Sequence, residues 1–308
     1  MKVAVVGSTG LVGGRVAGAL IARGDDVVAV SRSGRELDGA TAVAWNPADA
    51  PPPSEAFDGA DAIVNMAGRP VASVPRLASL ATAMASSRWT DERKHEMRTS
   101  RISTTQMICD ALSGVSPRVL INASATGYYG PSDEPVVESD GPGAGFLAEL
   151  CLDWEAAAAR AAEAGHRVVV VRTGIVLDRD GGALPPLASA TRMFAGGPLA
   201  GGRFWFPWIH IDDQIGVILK AIDDAQVSGP VNATAPNPVR QKEFAATLGK
   251  VLRRPSFVPT PSVAMRVLFG EGAEAVLSGQ PVLPAAIQEA GYEFRFPYLE
   301  QALRDLLT

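Results

Sequence analysis

Cysteine, histidine and long apolar runs are scarce in this chain of 308 residues, and each scarcity excludes something. The two cysteines, Cys109 and Cys151, stand far apart with no CxxC pattern, so reduced thiols in a cytoplasmic protein are expected. Three isolated histidines offer no metal-ligand spacing, and no metal is expected. Net charge is −5 with lysine and arginine scattered, which leaves no basic footprint for nucleic acid. The longest apolar stretches, such as RVVVVRTGIVL, are broken by arginine or glycine long before the ~20 residues that span a bilayer. No membrane partner is therefore expected. The first apolar run stops after four residues at a glycine loop, which does not read as a signal peptide.

What the chain does have is rhythm. KVAVVG, DVVAVS, TAVAW, DAIVNMAG, PRVLINAS and RVVVVRTG read as strands, and segments of helical period alternate with them. Leu11 to Arg23 places Leu11, Val12, Val16, Ala19 and Leu20 on one face, and Gly24 closes it. Thr90 to Leu112 carries Asp91 and Glu92 in its first turn, and Phe146 to Ala164 ends at Gly165. Strands that are continuously valine and isoleucine suit a parallel sheet covered on both faces. The expected fold is α/β, a doubly wound parallel (Rossmann) sheet. Residues 1–174 form it, and 204–235 return to it. Beyond Gly174 the glycine- and proline-rich segments 175–203 and 236–308 are expected to build a smaller, discontinuous substrate lobe.

Gly7, Gly10 and Gly13 follow the first strand directly and open the first helix, which is the context a dinucleotide loop requires. Gly7 permits the tight turn, Gly10 lets backbone approach a pyrophosphate, and Gly13 allows close helix–strand packing. Ser8, Thr9, Leu11 and Val12 are the expected amide or hydroxyl donors at the positive end of that helix. After the second strand, where an NAD site usually has an acidic residue, stand Ser31 and Arg32. A guanidinium pairs bidentately with a 2′-phosphate, so the expected cofactor is NADP(H).

The GxxGxxG spacing, NMAG after the fourth strand and RTGIVL after the sixth resemble the extended short-chain dehydrogenase/reductase superfamily. RWTDERKHEMRTSRI, SATGYYG, GGPLAGGRFWFPWIHIDD and LSGQPVLPAAIQEAGYEFRFP are similar, more narrowly, to its atypical, nucleoside-diphosphate-sugar epimerase-like subgroup. The resemblance covers nearly the whole chain. It implies a cofactor site lined by Met66, Ala67 and Gly68, by Glu96 and Arg101 on the long helix, and by Val176 near the nicotinamide. It departs at 69–87, where Arg69 replaces a common glutamate and extra residues suggest a surface insertion.

The superfamily's Tyr-x-x-x-Lys pair is missing: aligned on Glu155, Leu147 and Cys151 occupy its positions. Ser124 follows the fifth strand, where the superfamily carries a hydroxyl facing the reacting carbonyl, and Tyr128 or Tyr129 is the candidate acid. The competing reading packs both tyrosines over the sheet edge, and neither has an evident cation nearby. In WIHIDD, Asp212 or Asp213 is expected to cap a helix, with His210 in a strand. His95 and His166 read as surface or cap residues, the aromatics of RFWFPW as interdomain core, and Cys109 as buried. Two functions follow from these residues. One is an NADP(H)-dependent oxidoreductase or epimerase-like enzyme for a small polar or sugar-like molecule; the other is a redox-silent NADP(H)-binding sensor. Substrate and oligomeric state are not legible.

Overall fold

The computed structural model describes residues 1–71, 88–116, 118–263, 265, 270–273 and 277–308. Most of the 69–87 segment lies outside the described residues. The chain runs β1 (Lys2–Val6), α1 (Leu11–Arg23), β2 (Asp26–Ser31), β3 (Ala40–Ala44), β4 (Ala62–Asn65), α2 (Asp91–Leu112), β5 (Val119–Ala125), α3 (Phe146–Glu163) and β6 (Arg167–Thr173). It continues through β7 (Ile175–Leu177), α4 (Leu184–Arg192), β8 (Trp205–Phe206), β9 (Trp208–His210), α5 (Ile211–Asp223), β10 (Gly229–Ala233), β11 (Val239–Arg240), α6 (Gln241–Leu252), α7 (Ala285–Glu289) and α8 (Leu299–Leu307).

Seven strands form one parallel sheet in the order β10-β6-β5-β4-β1-β2-β3. The period-two alternation of side chains divides the valines between two layers. Val3, Val5, Val64, Ile121, Val169 and Val171 face α1 and α5, packing on Val16, Leu20, Ile218 and Ile222. Val6, Val28, Val30, Ile63, Leu120 and Val170 face α2 and α3, packing on Ile108, Leu112, Ala158 and Ala161. With both faces covered, the strands carry the continuous apolar runs read from the sequence.

The order reverses beside β1. From there the chain builds β2 and β3 outward on one side, then returns to place β4, β5, β6 and β10 on the other. A crevice at the strands' C-terminal ends opens at such a reversal, and in open α/β sheets that is where ligands sit. The helix ends follow their sequence signals. Gly24 adopts φ +91° and closes α1, and the Thr90 hydroxyl accepts from the Arg93 amide at 3.2 Å to cap α2.

Two sequence expectations change. His210, not Asp212 or Asp213, caps α5, its Nδ1 accepting the Asp212 amide at 3.0 Å. Asp213 is buried, and its carboxylate accepts the Arg295 and Phe296 amides and the Tyr292 hydroxyl. A capping side chain lies outside the helix, whereas Asp213 faces inward onto the C-terminal segment. His166 is not a surface residue, though it does serve helix ends: its amide closes α3 on the Ala161 carbonyl. Buried against the end of α2, it accepts the Arg118 amide on Nδ1 and meets the Leu112 carbonyl on Nε2.

Candidate functional site: the C-terminal edge of the sheet

At the β1–α1 turn the three glycines are sterically compulsory. A Cβ on Gly13 would lie 2.3 Å from the Gly7 carbonyl oxygen, and one on Gly7 (φ +83°) would lie 3.0 Å from the Met66 carbonyl. One on Gly10 would lie 3.2 Å from the same Gly7 oxygen. The turn therefore holds β1, α1 and the loop after β4 in backbone contact. The amides of Leu11, Val12 and Gly13 have no acceptor among the described residues. They are the unsatisfied donors of a helix first turn, gathered where the dipole is positive. Thr9 is exposed beside them, but Ser8 is not a free donor: its amide and hydroxyl both go to the Val30 carbonyl.

At the end of β2, Ser31 is buried and its hydroxyl accepts the Arg35 amide at 3.3 Å. Arg32 is exposed, and among the described residues no group pairs with its guanidinium or with that of Arg35. Across the crevice, Ala67 is anchored by its amide to Asn65 Oδ1. Arg101 is buried, donates to the Arg69 carbonyl at 2.8 Å, and packs its guanidinium where a Gly68 Cβ would stand. Burial lowers its pKa to about 10, and Trp154 stacks 5.1 Å away. Glu96 reaches the same loop by pairing with Arg69 at the surface. Val176 lies in β7, paired with Ile209, and the loop after it rests on Leu11. Predicted residues from five separate segments thus gather around the C-terminal edge of the sheet. The cradle fits a dinucleotide: glycines where a Cβ would collide, free amides at a helix start, and uncommitted cations at the second strand's end.

The strand ends beyond β4 are built differently. Ser124 is buried and donates to Glu155 Oε1 at 2.6 Å. Arg172 meets the same carboxylate with both arms of its fork, Nε to Oε1 at 2.9 Å and Nη2 to Oε2 at 2.8 Å. Its third arm, Nη1, donates to the Tyr129 hydroxyl at 2.8 Å, and Tyr129 donates to Asn232 Oδ1 at 2.7 Å. The Asn232 side-chain nitrogen donates to the Leu283 carbonyl, and its backbone N–H donates to Glu138 Oε1. A guanidinium only donates and a carboxylate only accepts, so every proton in this chain of contacts has one direction. Burial works against the Arg172 charge, but Glu155 and Tyr129 outweigh it and raise the guanidinium above its ordinary value. Burial also raises Tyr129, against the opposing pull of Arg172, so this phenol stays protonated.

Tyr128 stacks on Arg172, its ring centroid 3.5 Å from the guanidinium carbon, and none of the described residues hydrogen-bonds its hydroxyl. The cation that the sequence did not reveal beside these tyrosines is Arg172. Leu147, at the superfamily's tyrosine position, packs on Gly127. Cys151, at its lysine position, is a buried thiol pushed up to about 11 by burial, its Sγ donating to the Ala125 carbonyl. Cys109 is likewise buried and pushed to about 11.

Sequence reasoning missed Glu155, Arg172 and Asn232 as members of this site. One signal was available, a lone arginine inside a run of valines, since a charge in a buried strand requires a partner. Among the described residues no group of three metal-ligating side chains gathers. A hollow of about 540 Å³ lined by Asp61, Arg118 and Arg167 lies at the strands' opposite, N-terminal ends and collects none of these residues.

Comparison with known proteins agrees with this geometry. The chain is 33% identical to the human epimerase family protein SDR39U1, whose crystal structure was determined with NADPH; the two superpose with a TM-score of 0.86 over 99% of each. It is 38% identical over 316 residues to the Arabidopsis thaliana chloroplastic SDR39U1 homologue, covering 100% of this chain and 87% of that one. A UDP-glucuronic acid 4-epimerase from Bacillus cereus shares the fold at 16% identity, with a TM-score of 0.77 over 99% of this chain and 98% of that one. Residues 260–306 match a domain of unknown function. Residues 3–233, which contain the glycine cradle and all seven strands of the sheet, match the NAD dependent epimerase/dehydratase model, and the chain is an atypical, epimerase-like member of that family.

Proposed function

We propose that the chain binds NADP(H) and acts as an oxidoreductase or epimerase-like enzyme on a small polar or sugar-like molecule bearing a carbonyl or hydroxyl. The observation that carries this reading is the pairing of a glycine cradle with free first-turn amides and two uncommitted guanidiniums, Arg32 and Arg35. Gly7 to Gly13 hold the pyrophosphate, Arg32 clasps the 2′-phosphate, Met66, Ala67 and Gly68 with Arg101 wall the crevice, and Val176 bounds the nicotinamide end. The 175–203 and 236–308 segments supply the substrate lobe. Bound nicotinamide supplies the hydride chemistry.

The residues opposite it divide two tasks. Ser124, its proton committed to Glu155, presents oxygen lone pairs to a substrate hydroxyl, and Tyr128 is the hydroxyl left to donate to an oxygen. Arg172 orients both and keeps positive charge beside the Tyr128 ring. Titration with NADPH and NADH tests the cofactor assignment. Decay of the NADPH absorbance near about 340 nm with a panel of carbonyl compounds tests turnover. Binding of neither nucleotide overturns the whole reading.

One observation favours the second reading, a redox-silent NADP(H) sensor: Leu147 and the protonated Cys151 thiol stand where the superfamily has its acid–base pair. Tight NADPH binding with no decay across the panel, and cofactor-dependent association with another protein, selects it.

A further inference from the structure

Five helices share one way of ending, a turn in which the amide after the left-handed residue reaches back to a carbonyl five positions earlier. Three of them use glycine at the left-handed position, with Asp25 N to Leu20 O after Gly24, His166 N to Ala161 O after Gly165, and Tyr292 N to Ile287 O after Gly291. The other two are α4 and α6. There the left-handed residues are Phe194 (φ +61°) and Arg253 (φ +54°), with Ala195 N bonded to Ala190 O and Arg254 N to Gly249 O. Side chains are disfavoured at this position and glycine is the default, so bulk kept there despite the strain points to what the side chain does outside the helix.

Both ends open onto one surface. The loops that follow them are joined by Val258 N to Gly196 O at 3.2 Å, Thr260 N to Pro198 O at 3.0 Å and Ala200 N to Thr260 O at 2.8 Å, and Arg254 stacks over the Phe194 ring. Met193, Phe194, Phe257, Val258 and Val263 are 43% to 74% exposed and make up five of the nine exposed large apolar side chains among the described residues. Side chains exposed to that degree stand out from the surface and do not line a groove. The two segments that carry them are of one sign. Neither 181–211 nor 244–270 contains an aspartate or glutamate, in a chain whose net charge is −5. Among the described residues no carboxylate pairs with Arg192, Arg253 or Arg254.

We propose that this tip of the C-terminal lobe docks on an anionic lipid surface, its apolar side chains entering the interface and its arginines meeting lipid phosphates. Projecting aliphatic and aromatic groups ringed by arginine suit a fluid, negatively charged layer, whereas a protein partner requires a shaped complement. No described helix is long and apolar enough to cross a membrane, so the association is peripheral. The expectation of no membrane partner rested on the lack of a spanning run and does not bear on this surface.

Sedimentation of the full chain with vesicles tests it. Phosphatidylcholine vesicles containing about 30% phosphatidylserine are expected to carry the protein down at low salt, and phosphatidylcholine alone is not. High salt releases it, and each of Arg192→Ala, Arg253→Ala and Arg254→Ala weakens the partition about fivefold. Phe257→Ser, at an exposed site, weakens it without changing the thermal midpoint. Phe194→Gly separates display from fold: relief of the left-handed strain raises the midpoint while vesicle binding falls. Equal binding to both vesicle types, no binding to either, or a Phe194→Gly variant that binds undiminished overturns the proposal. So does a concentration-dependent dimer abolished by Phe257→Ser, which assigns the surface to a second copy of the chain.

Discussion

The two sides of the crevice treat their polar groups in opposite ways. On the β1–β2 side, donors stand open: the Leu11, Val12 and Gly13 amides and the Arg32 guanidinium have no acceptor among the described residues. On the β5–β6–β10 side almost everything is committed internally, with Ser124, Glu155, Arg172, Tyr129 and Asn232 in one directed series. Open donors mark a surface that awaits an anion. A closed series marks a rigid wall that keeps its side chains in fixed orientations. The Tyr128 hydroxyl on that wall is left without a partner among the described residues.

The comparison is broken most forcefully at Arg172. Arg172→Leu leaves the half-buried Glu155 carboxylate without its cation and is expected to cost about 3 kcal/mol of stability, measured by urea unfolding. Arg172→Leu with Glu155→Leu recovers much of that loss. A double variant as unstable as the single one shows that the loss does not come from the stranded carboxylate. Next in size is Gly13→Ala. Its Cβ would lie 2.3 Å from a backbone oxygen, so a loss of about 1–3 kcal/mol together with loss of NADPH binding in calorimetry is expected. Retained affinity shows that the turn does not need this contact.

Arg32→Ala touches nothing in the fold and is expected to lower NADPH affinity about tenfold or more, as removal of a charge-assisted contact does, with NADH nearly unchanged. Equal losses for both nucleotides remove the assignment of Arg32 to a 2′-phosphate. The smallest effect is an absence of one. Both thiols are pushed to about 11 by burial, so at pH 8 neither Cys109 nor Cys151 is expected to react with a thiol reagent until the protein unfolds. Because the folded values lie above the ordinary thiol value of 9.0, this contribution to stability is complete below that pH. It fades as pH rises toward about 11.

Legibility divides along the same line. The cradle was readable because glycine spacing after a strand has one geometric meaning, and the parallel sheet because valine runs without alternation demand two covered faces. Helix limits followed from Gly24, Thr90 and Gly165 for the same local reason. The wall was not readable, since its members come from β5, β6, β10 and α3 and meet only through the sheet register that pairs Ser124 with Arg172 and Arg172 with Asn232. His210 lies in a strand as expected, but the cap of α5 was misread because an imidazole nitrogen can accept an amide as an aspartate oxygen does, and the spacing of WIHIDD suits either. The burial of His166 was not legible because its ring's partners, Arg118 and Leu112, lie about fifty residues away.

Asp213 carries a consequence for how the molecule is made. Its carboxylate is buried near the first turn of α5, yet the three donors that satisfy it come from residues 79 to 83 positions later. At about 5–20 residues per second, a ribosome needs roughly 4–16 seconds to reach them. Until Tyr292 to Phe296 emerge, that charge has to stay wet, and α5 cannot settle fully onto the sheet. A nascent chain stopped short of this stretch therefore holds its last layer ajar, which gives proteases a means of telling unfinished copies from complete ones.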